Sequence, residues 1–185
     1  RLEESGVTSA SDFLKFARGQ QWEGFLFPTT YHLAKGMPAA TVARLMRQEF
    51  DKQVLPMFRA SGRSLDLDKV VTLASIIERE AVLDAEKPVI ASVYFNRFAR
   101  GMKLEADPTV QYALGHWKKG LTLKDLQVAS PFNTYQHTGM PPAPISNPGV
   151  NSIRAVLYPQ RTDYIFFVAD HKGGHTFQPD YKTFL

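Results

Sequence analysis

The segment from Asp66 to Leu83 has the clearest helical periodicity in the chain. Its apolar residues recur at intervals of three and four, which places them on one side of an α-helix. Five of them form a single stripe: Val70, Leu73, Ala74, Ile77 and Ala81. We therefore predict an amphipathic helix over this segment.

Caps and helix breakers indicate further helices on both sides of this segment. Proline lacks the N–H that a helix interior needs, so we expect Pro56 to kink or end the helix that starts near Thr41. Residues 59–64 are then predicted to form a loop. The other predicted helices are one capped by Thr8 or Ser9 and ended by Gly19, one from Ala85 to Arg100, one capped by Asp107 and ended by Gly115, a single turn capped by Thr122, and one from Asn151 to Leu157.

Strands are indicated at two places. The aromatic segment WEGFLFPTTY, from Trp22 to Tyr31, predicts a strand broken at Pro28. Near the C-terminus, DYIFFVAD and HTF flank a Gly-Gly pair and predict a β-hairpin. Residues 130–149 contain five prolines and are expected to form a stiff, ordered loop. Together these elements predict an α+β fold with more helix than strand, in one compact unit over residues 1–185.

Composition excludes several classes of protein. A length of 185 residues suits one domain of typical size, and 44% hydrophobic residues is too many for a disordered chain. No apolar run approaches the ~20 residues needed to cross a bilayer. The absence of cysteine excludes disulfides, thiol nucleophiles and Cys-ligated metals. The net charge of +4 is spread along the chain without a basic stripe, so we expect no nucleic-acid partner.

Sequence motifs for several cofactor and catalytic sites are missing. The chain has no H-E-x-x-H zinc motif, no G-x-S-x-G nucleophile motif and no glycine-rich phosphate loop. His171 and His175 are four residues apart but flank a Lys-Gly-Gly sequence, so we interpret them as hairpin-tip residues and not as metal ligands. We predict no metal site and no cofactor.

Glu78 and Glu80 are the carboxylates best placed for acid–base chemistry. In a helix they lie about 80° to either side of the apolar stripe, and Arg79 between them points to solvent. Partial desolvation at the edge of a buried face favours the protonated form of a carboxyl group, which suits a general acid. Helical geometry does not choose between the two glutamates. Both could equally be surface carboxylates that flank Arg79.

Two clusters of polar and aromatic residues are typical of a sugar-binding groove. Amides and hydroxyls bond to sugar hydroxyls, and aromatic rings stack on the C–H face of a pyranose. The candidate binding residues are Gln111, Tyr112, Asn133, Thr134 and Tyr135. The alternative interpretation is structural. A helix cap explains Asp107 beside the first cluster, and bracing of the loop backbone explains Asn133 and Tyr135.

Several long motifs occur in a fixed order along nearly the whole chain: EGFLFPTTY, LASIIEREA, IASVYFNR, MKLEADPTVQYALG, SPFNTYQHTGMPPAPISNPG, NSIRAVLYP and DYIFFVAD-x-x-GGHTF. In these motifs the sequence resembles the YceG-like (MltG) family of endolytic murein transglycosylases, which cut the glycan strands of bacterial peptidoglycan. The resemblance implies that Glu78, in A-S-I-I-E, is the catalytic residue. It would protonate the glycosidic oxygen between N-acetylmuramic acid (MurNAc) and N-acetylglucosamine (GlcNAc). It would then deprotonate the C6 hydroxyl of MurNAc, giving a 1,6-anhydro end.

The resemblance also implies a cellular setting. Family members are anchored by one N-terminal transmembrane helix and carry a LysM-like region. We therefore expect a catalytic fragment without its anchor and most of that region, with residues 1–31 as a candidate remnant of an N-terminal subdomain. The whole protein is expected to span the inner membrane once and to place its catalytic domain in the periplasm. The expected partners are peptidoglycan glycan strands and the synthases of the elongation and division machinery.

Two other functions fit the same residues. A muramidase would hydrolyse the same bond with water, and its second carboxylate could be Glu105 or Asp107. A non-catalytic glycan-binding domain of the cell-wall synthesis machinery would need no acid at all. If Glu78 is not the acid of an enzyme, Glu80 and Glu105 are the next candidates.

Overall fold

The computed structural model describes residues 2–170 and 173–181, and this part of the chain is mainly helical. Its helices are α1 (Ala10–Gly19), α2 (Ala39–Ser61), α3 (Leu67–Glu80), α4 (Lys87–Ala99), α5 (Asp107–Leu114) and α6 (Val150–Leu157). Short 3-10 turns cover Asp84–Glu86 and Asp125–Gln127, and two antiparallel strands are β1 (Phe166–Ala169) and β2 (His175–Gln178). The predicted α+β class is confirmed. None of the helices in the described residues is long and apolar enough to span a membrane.

Helix α3 lies at the centre of the hydrophobic core. Every residue from Val70 to Ile77 is buried, and α3 packs against α4, α5 and α6. The predicted helix is therefore confirmed, but it ends at Glu80 and not at Leu83. Ala81 leaves the helical conformation (φ −79°, ψ 126°) and donates its N–H to the carbonyl of Ile77. The two candidate glutamates consequently lie in the last turn of the central helix.

Helix α2 continues through Pro56 to Ser61, so it does not end at Pro56. The loop predicted over residues 59–64 begins only at Gly62. Proline removes one intrahelical hydrogen bond. Phe50 and Val54 are completely buried in the preceding turns, and this packing holds the helix in place despite the lost bond. The helix ends where Gly62 adopts the left-handed conformation (φ 61°).

Residues 22–31 do not form the predicted strand. Instead, the backbone N–H groups of Gly24 and Leu26 both donate to the side-chain oxygen of Asn147, at 2.9 and 3.0 Å. Gly24 has φ +90°, and a Cβ at this position would lie 2.5 Å from Pro144. The segment is therefore irregular, and it buries Phe25 and Phe27 in the core, where the ring of Phe25 packs against that of Phe50 of α2 at 5.0 Å. The predicted lack of regular structure in the proline-rich loop is confirmed.

Caps set the starts of the shorter helices. The side chain of Ser9 caps α1, as predicted. Asp107 is not a cap, because Ala106 occupies the N-cap position and Asp107 is the first residue of α5. Its carboxylate is thus free to bond elsewhere. The predicted cap at Thr122 is not found, because the 3-10 turn begins after Lys124, although the hydroxyl of Thr122 accepts a hydrogen bond of 3.3 Å from the N–H of Asp125.

The predicted C-terminal hairpin is confirmed. Its register runs from Phe166 opposite Gln178 to Ala169 opposite His175. Phe167 packs edge-on against Tyr94 of α4, with ring centroids 5.9 Å apart, which holds the hairpin against the helical core. His171, which we interpreted as a hairpin-tip residue, lies outside the described residues.

Candidate active site

A cleft of about 290 Å³ lies where the end of α3, the start of α5 and the hairpin meet, and we call it the Glu80 cleft. Of the candidate sugar-binding residues, it contains Tyr135. The lining combines charged and polar side chains with apolar ones: Glu80, Arg97, Leu104, Glu105, Asp107, Tyr135, Phe167, Ala169 and His175.

Glu80 is partly buried in this cleft, and its carboxyl group has an unusual acidity. The buried phenol of Tyr94 donates a hydrogen bond of 3.3 Å to its Oε1. Burial raises the pKa of Glu80 from 4.5 to about 7, and the negative charge of Asp107 adds to the shift. The hydrogen bond from Tyr94 and the charge of Arg97 lower the pKa and only partly oppose these effects. The raised pKa favours the protonated form of Glu80, and a protonated carboxyl group can donate a proton to a ligand.

Asp107 and Tyr135 form a second polar pair in the cleft. The phenol of Tyr135 donates a hydrogen bond of 2.6 Å to Oδ1 of Asp107. Burial and this hydrogen bond raise the pKa of Tyr135, so the phenol keeps its proton at physiological pH. The pair therefore offers a fixed carboxylate and a fixed hydroxyl beside Glu80.

Arg97 of α4 joins the segments that form the cleft. Its guanidinium donates to the carbonyls of Ile165 and Leu104, both at 2.7 Å. It also lies 3.3 Å from the carboxylate of Glu105. Glu105 has a left-handed backbone (φ 50°), and its N–H donates to the carbonyl of Thr134 at 3.2 Å. These contacts hold Glu105 in a conformation that is unfavourable for a residue with a Cβ.

His175 and Glu86 fasten the hairpin to the helical part of the molecule. The backbone N–H of His175 donates to Oε1 of Glu86 at 2.8 Å, and its ring Nδ1 lies 2.7 Å from Oε2. Gly174 permits this approach, because a Cβ there would lie 2.7 Å from Oε1 of Glu86. The hairpin residues Phe167 and Ala169 are thereby held in the wall of the Glu80 cleft.

Glu78 has a different environment from Glu80. Its Oε2 accepts hydrogen bonds from the hydroxyl of Ser152, from the N–H of Gly149 at 3.2 Å and from Nζ of Lys87 at 3.3 Å. Lys87 is 8% exposed in its side chain and also lies 2.7 Å from Asp84. The contacts of Glu78, the residue that the family resemblance implies as the acid, connect α3 with α4 and α6. Its side chain is 30% exposed, and its catalytic role stays a prediction.

Gln111 and Tyr112 line a second cleft of about 740 Å³, which also contains Arg18, Arg79 and Trp117. We call it the Trp117 cleft. The amide of Gln111 donates to the carbonyl of Lys118 at 2.8 Å and accepts from its N–H at 2.9 Å. The phenol of Tyr112 donates to Glu23 at 2.8 Å, and its ring lies 4.7 Å from that of Phe132. The polar atoms of these two predicted binding residues therefore bond to the protein itself.

Asn133 and Thr134 are buried inside the proline-rich loop, at 0% and 2% exposure. The amide of Asn133 donates to the carbonyls of Leu126 and Val128, at 3.0 and 2.9 Å. The hydroxyl of Thr134 accepts from the N–H of Ala106 at 3.0 Å. The structure thus brings only Tyr135 of the loop residues to Glu80, and the contacts of Asn133 and Thr134 are those of the bracing alternative.

Our sequence reasoning did not single out Tyr94, Arg97 or Glu86. Tyr94 and Arg97 are three residues apart on α4, so they share one face of that helix. A phenol and a guanidinium on one face of a helix whose neighbouring residues are buried are a signal that could have identified them. No cluster of His, Asp and Glu side chains suited to a metal ion occurs among residues 2–170 and 173–181.

The described residues thus form a mainly helical domain with a partly buried glutamate in a polar cleft. The family model described as the YceG-like family matches residues 1–185. The chain belongs to this family.

The relatives agree with this membership. The endolytic murein transglycosylase of Bacillus subtilis (strain 168) is 37% identical over 162 residues, which are 86% of this chain and 45% of that protein. The protein of the same name from Streptococcus pneumoniae (strain D39) is 28% identical over 161 residues, covering 84% and 29%. A crystal structure of a yceG-like protein from Listeria monocytogenes matches 97% of this chain and 64% of its own, with a TM-score of 0.84 and 33% identity. The chain thus spans less than half the length of these two curated relatives.

Proposed function

We propose that this chain is the catalytic part of an endolytic murein transglycosylase, which cuts the bond between MurNAc and GlcNAc in peptidoglycan. The observation that carries the proposal is the partly buried carboxyl group of Glu80, which accepts a hydrogen bond from Tyr94 and lines a polar cleft with Asp107 and Tyr135. Burial, which raises the pKa of Glu80, is consistent with this role. The names of the Bacillus and Streptococcus relatives support the reaction and the substrate class.

This proposal takes Glu80 as the acid because it lines the polar cleft, and Glu78, the acid that the family resemblance implies, is the alternative that the paired glutamine variants test. Protonated Glu80 donates its proton to the glycosidic oxygen as the bond from that oxygen to C1 of MurNAc breaks, and the GlcNAc side leaves as an alcohol. The resulting carboxylate accepts the proton of the C6 hydroxyl of MurNAc, whose oxygen bonds to C1. The product carries a 1,6-anhydro end, Glu80 is protonated again, and no water is consumed.

Asp107 and Tyr135 are proposed to position the sugar beside Glu80. The carboxylate of Asp107 is a fixed negative charge in the same cleft and can stabilise the positive charge that develops at C1. The phenol of Tyr135 holds this carboxylate at 2.6 Å, so little reorganisation is needed during the reaction. The other predicted binding residues have a supporting role in this proposal, because their side chains hydrogen-bond to other parts of the protein: Gln111, Tyr112, Asn133 and Thr134.

Hydrolysis of the same bond is the second candidate function. It is favoured by one observation, the presence of Asp107 and Glu105 in the cleft that contains Glu80. Either carboxylate could deprotonate a water molecule that attacks C1, as in a glycosidase with two catalytic carboxyl groups. This reaction would leave a reducing end.

Mass spectrometry of digested, purified glycan strands distinguishes these functions. An anhydro end is lighter than a reducing end by one water molecule, so the two products separate cleanly. Anhydro products from the parent chain and none from Glu80→Gln support the transglycosylase. Reducing ends from the parent chain would instead support the hydrolase. If no product forms at pH values below and above the pKa of Glu80, the remaining interpretation is a non-catalytic glycan-binding domain.

We further propose that the whole protein acts outside the cytoplasm, anchored in the inner membrane by one N-terminal helix and working beside peptidoglycan synthases. The chemistry named for the relatives supports this setting, since murein lies outside the cytoplasm. The assignment of residues 1–31 to a remnant of an N-terminal subdomain also stays a prediction. Membrane fractionation of the full-length protein tests the anchor, and co-purification with synthases from detergent extracts tests the partners.

A further inference from the structure

The Trp117 cleft takes no part in the chemistry proposed for Glu80, and its charged lining is mainly cationic. It contains the guanidinium groups of Arg18 and Arg79 and one carboxylate, that of Glu23. Glu23 accepts a hydrogen bond from Tyr112. Neither arginine side chain has a hydrogen bond or an ion pair with any other residue that the structure describes. Both guanidinium groups are therefore available to an anionic ligand.

An aromatic side chain is presented at the same cleft on a fixed backbone. Trp117 is 68% exposed, which is unusual for an indole with no ligand to cover it. The backbone of the next residue, Lys118, is clamped by both ends of the Gln111 amide. The ammonium of Lys118 also lies 2.6 Å from the carboxylate of Asp125. The indole thus offers a flat stacking surface whose attachment to the fold is rigid.

The two clefts adjoin at two points of the chain. Arg79 lines the Trp117 cleft and its neighbour Glu80 lines the other, and the same holds for Pro108 and Asp107. The Cα atoms of consecutive residues are about 3.8 Å apart, so the walls of the clefts are shared at both points. The two clefts are therefore neighbours on the surface of the molecule.

We propose that the Trp117 cleft binds the carboxylate-bearing peptide stems of peptidoglycan while the Glu80 cleft holds the glycan. The inference rests on the proposed function, because the stems branch from MurNAc, the sugar whose C1 reacts beside Glu80. Stems carry free carboxylates, and a guanidinium group pairs with a carboxylate through two parallel hydrogen bonds. Arg18 and Arg79 are the residues that recognise these carboxylates, and Trp117 covers the apolar part of the peptide.

Binding to two matched ligands tests this inference. The first ligand is an uncross-linked glycan strand with its peptide stems, and the second is the same strand after carbodiimide-mediated amidation of its carboxylates. Both are titrated against the 185-residue chain carrying Glu80→Gln, so that neither strand is cut. Arg18→Gln and Arg79→Gln are added singly and together. Arg59→Gln is the control, because Arg59 is exposed in the last turn of α2 and lines neither cleft.

We expect the native strand to bind more tightly than the amidated strand. Each arginine substitution should weaken binding of the native strand roughly five-fold and leave the amidated strand unaffected. Arg59→Gln should change neither. The inference would be overturned if the parent chain bound the two strands equally or bound neither. It would also be overturned if an arginine substitution weakened the binding of both strands by the same factor. Cleavage by the parent chain, measured separately, decides the proposed function, so the two can fail independently.

Discussion

Glu78 and Glu80 are separated by one residue on α3, yet different parts of the molecule hold their carboxyl groups. Glu78 accepts hydrogen bonds from Ser152, Gly149 and Lys87 and links three helices. Glu80 accepts a hydrogen bond from Tyr94 and lines the polar cleft below the hairpin. The contacts of Glu78 therefore join three helices, those of Glu80 face a cleft, and the assignment of the acid to either glutamate stays a prediction.

Replacing each glutamate with glutamine should separate these two roles. Glu80→Gln keeps the shape of the side chain but has no acidic proton to transfer. Cleavage of glycan strands should therefore fall by about 10²–10⁴-fold. Glu78→Gln should keep most of the activity. It should lower the free energy of unfolding by roughly 1–3 kcal/mol, because it weakens the hydrogen bonding of a buried ammonium. Cleavage assays and urea unfolding of both variants measure the two effects. Loss of cleavage in Glu78→Gln alone would return the acid to Glu78.

The activity should decrease as pH rises through about 7, because Glu80 must be protonated to donate. Asp107→Asn removes a negative charge that raises the pKa of Glu80, so this decrease should move to lower pH by about one unit or less. Asparagine keeps an oxygen that can accept from Tyr135. The measurement is kcat/KM against pH, with Asp68→Asn as the control, since that exposed carboxylate does not line the Glu80 cleft. An unshifted profile in Asp107→Asn would contradict the assignment.

The stability of the chain should also depend on Glu80 and pH. The pKa of Glu80 is about 7 in the folded state against 4.5 ordinarily, so the folded state binds more protons than the unfolded state between these values. Its contribution to the free energy of unfolding is full below pH 4.5 and is lost as pH rises to 7 and above. Since the side chain is only partly buried, we expect a loss of about 1–3 kcal/mol. Thermal melts at pH 5 and 8 should show that Glu80→Gln loses less stability than the parent chain.

Substitution of Gly24 should show how closely residues 22–27 pack against the proline-rich loop. Gly24→Ala brings a Cβ to 2.5 Å from Pro144 and 2.9 Å from Val71, in a backbone with φ +90°. We expect a loss of roughly 2–4 kcal/mol in the free energy of unfolding. Gly36→Ala is the control, because Gly36 has φ +73° but no heavy atom within 4 Å of its Cβ position. Its loss should be about 1 kcal/mol. Similar values for the two variants would mean that the close approach to Pro144 is unimportant.

The spacing of apolar residues predicted a helix correctly where the buried residues recur with the helical period of 3.6 residues. The stripe that includes Val70 and Ile77 predicted α3 because those residues form the core itself. The patterns failed where distant residues decide. Residues 22–31 have the composition of a strand, but the side chain of Asn147, more than 120 positions away, takes the N–H groups that a strand would pair. No local pattern contains such a contact.

The site was predictable only in part for the same reason. Helical periodicity placed Glu78 and Glu80 symmetrically about the stripe, and their difference comes from the residues that pack on each side. Family resemblance favoured Glu78, whereas the structure surrounds Glu80 with Tyr94 and the hairpin. The loop amides look the same in a sequence whether they bind a sugar or their own backbone, and Asn133 does the latter.

The hairpin makes the acidity of Glu80 dependent on a small and separable part of the fold. Two four-residue strands have little stability of their own, so the hairpin stays in place through its contacts with the helices, notably that of His175 with Glu86. Displacement of the hairpin would expose Glu80 to water and would reduce the burial that raises its pKa. Hydrogen exchange of the β1 and β2 amides would measure how often the hairpin opens.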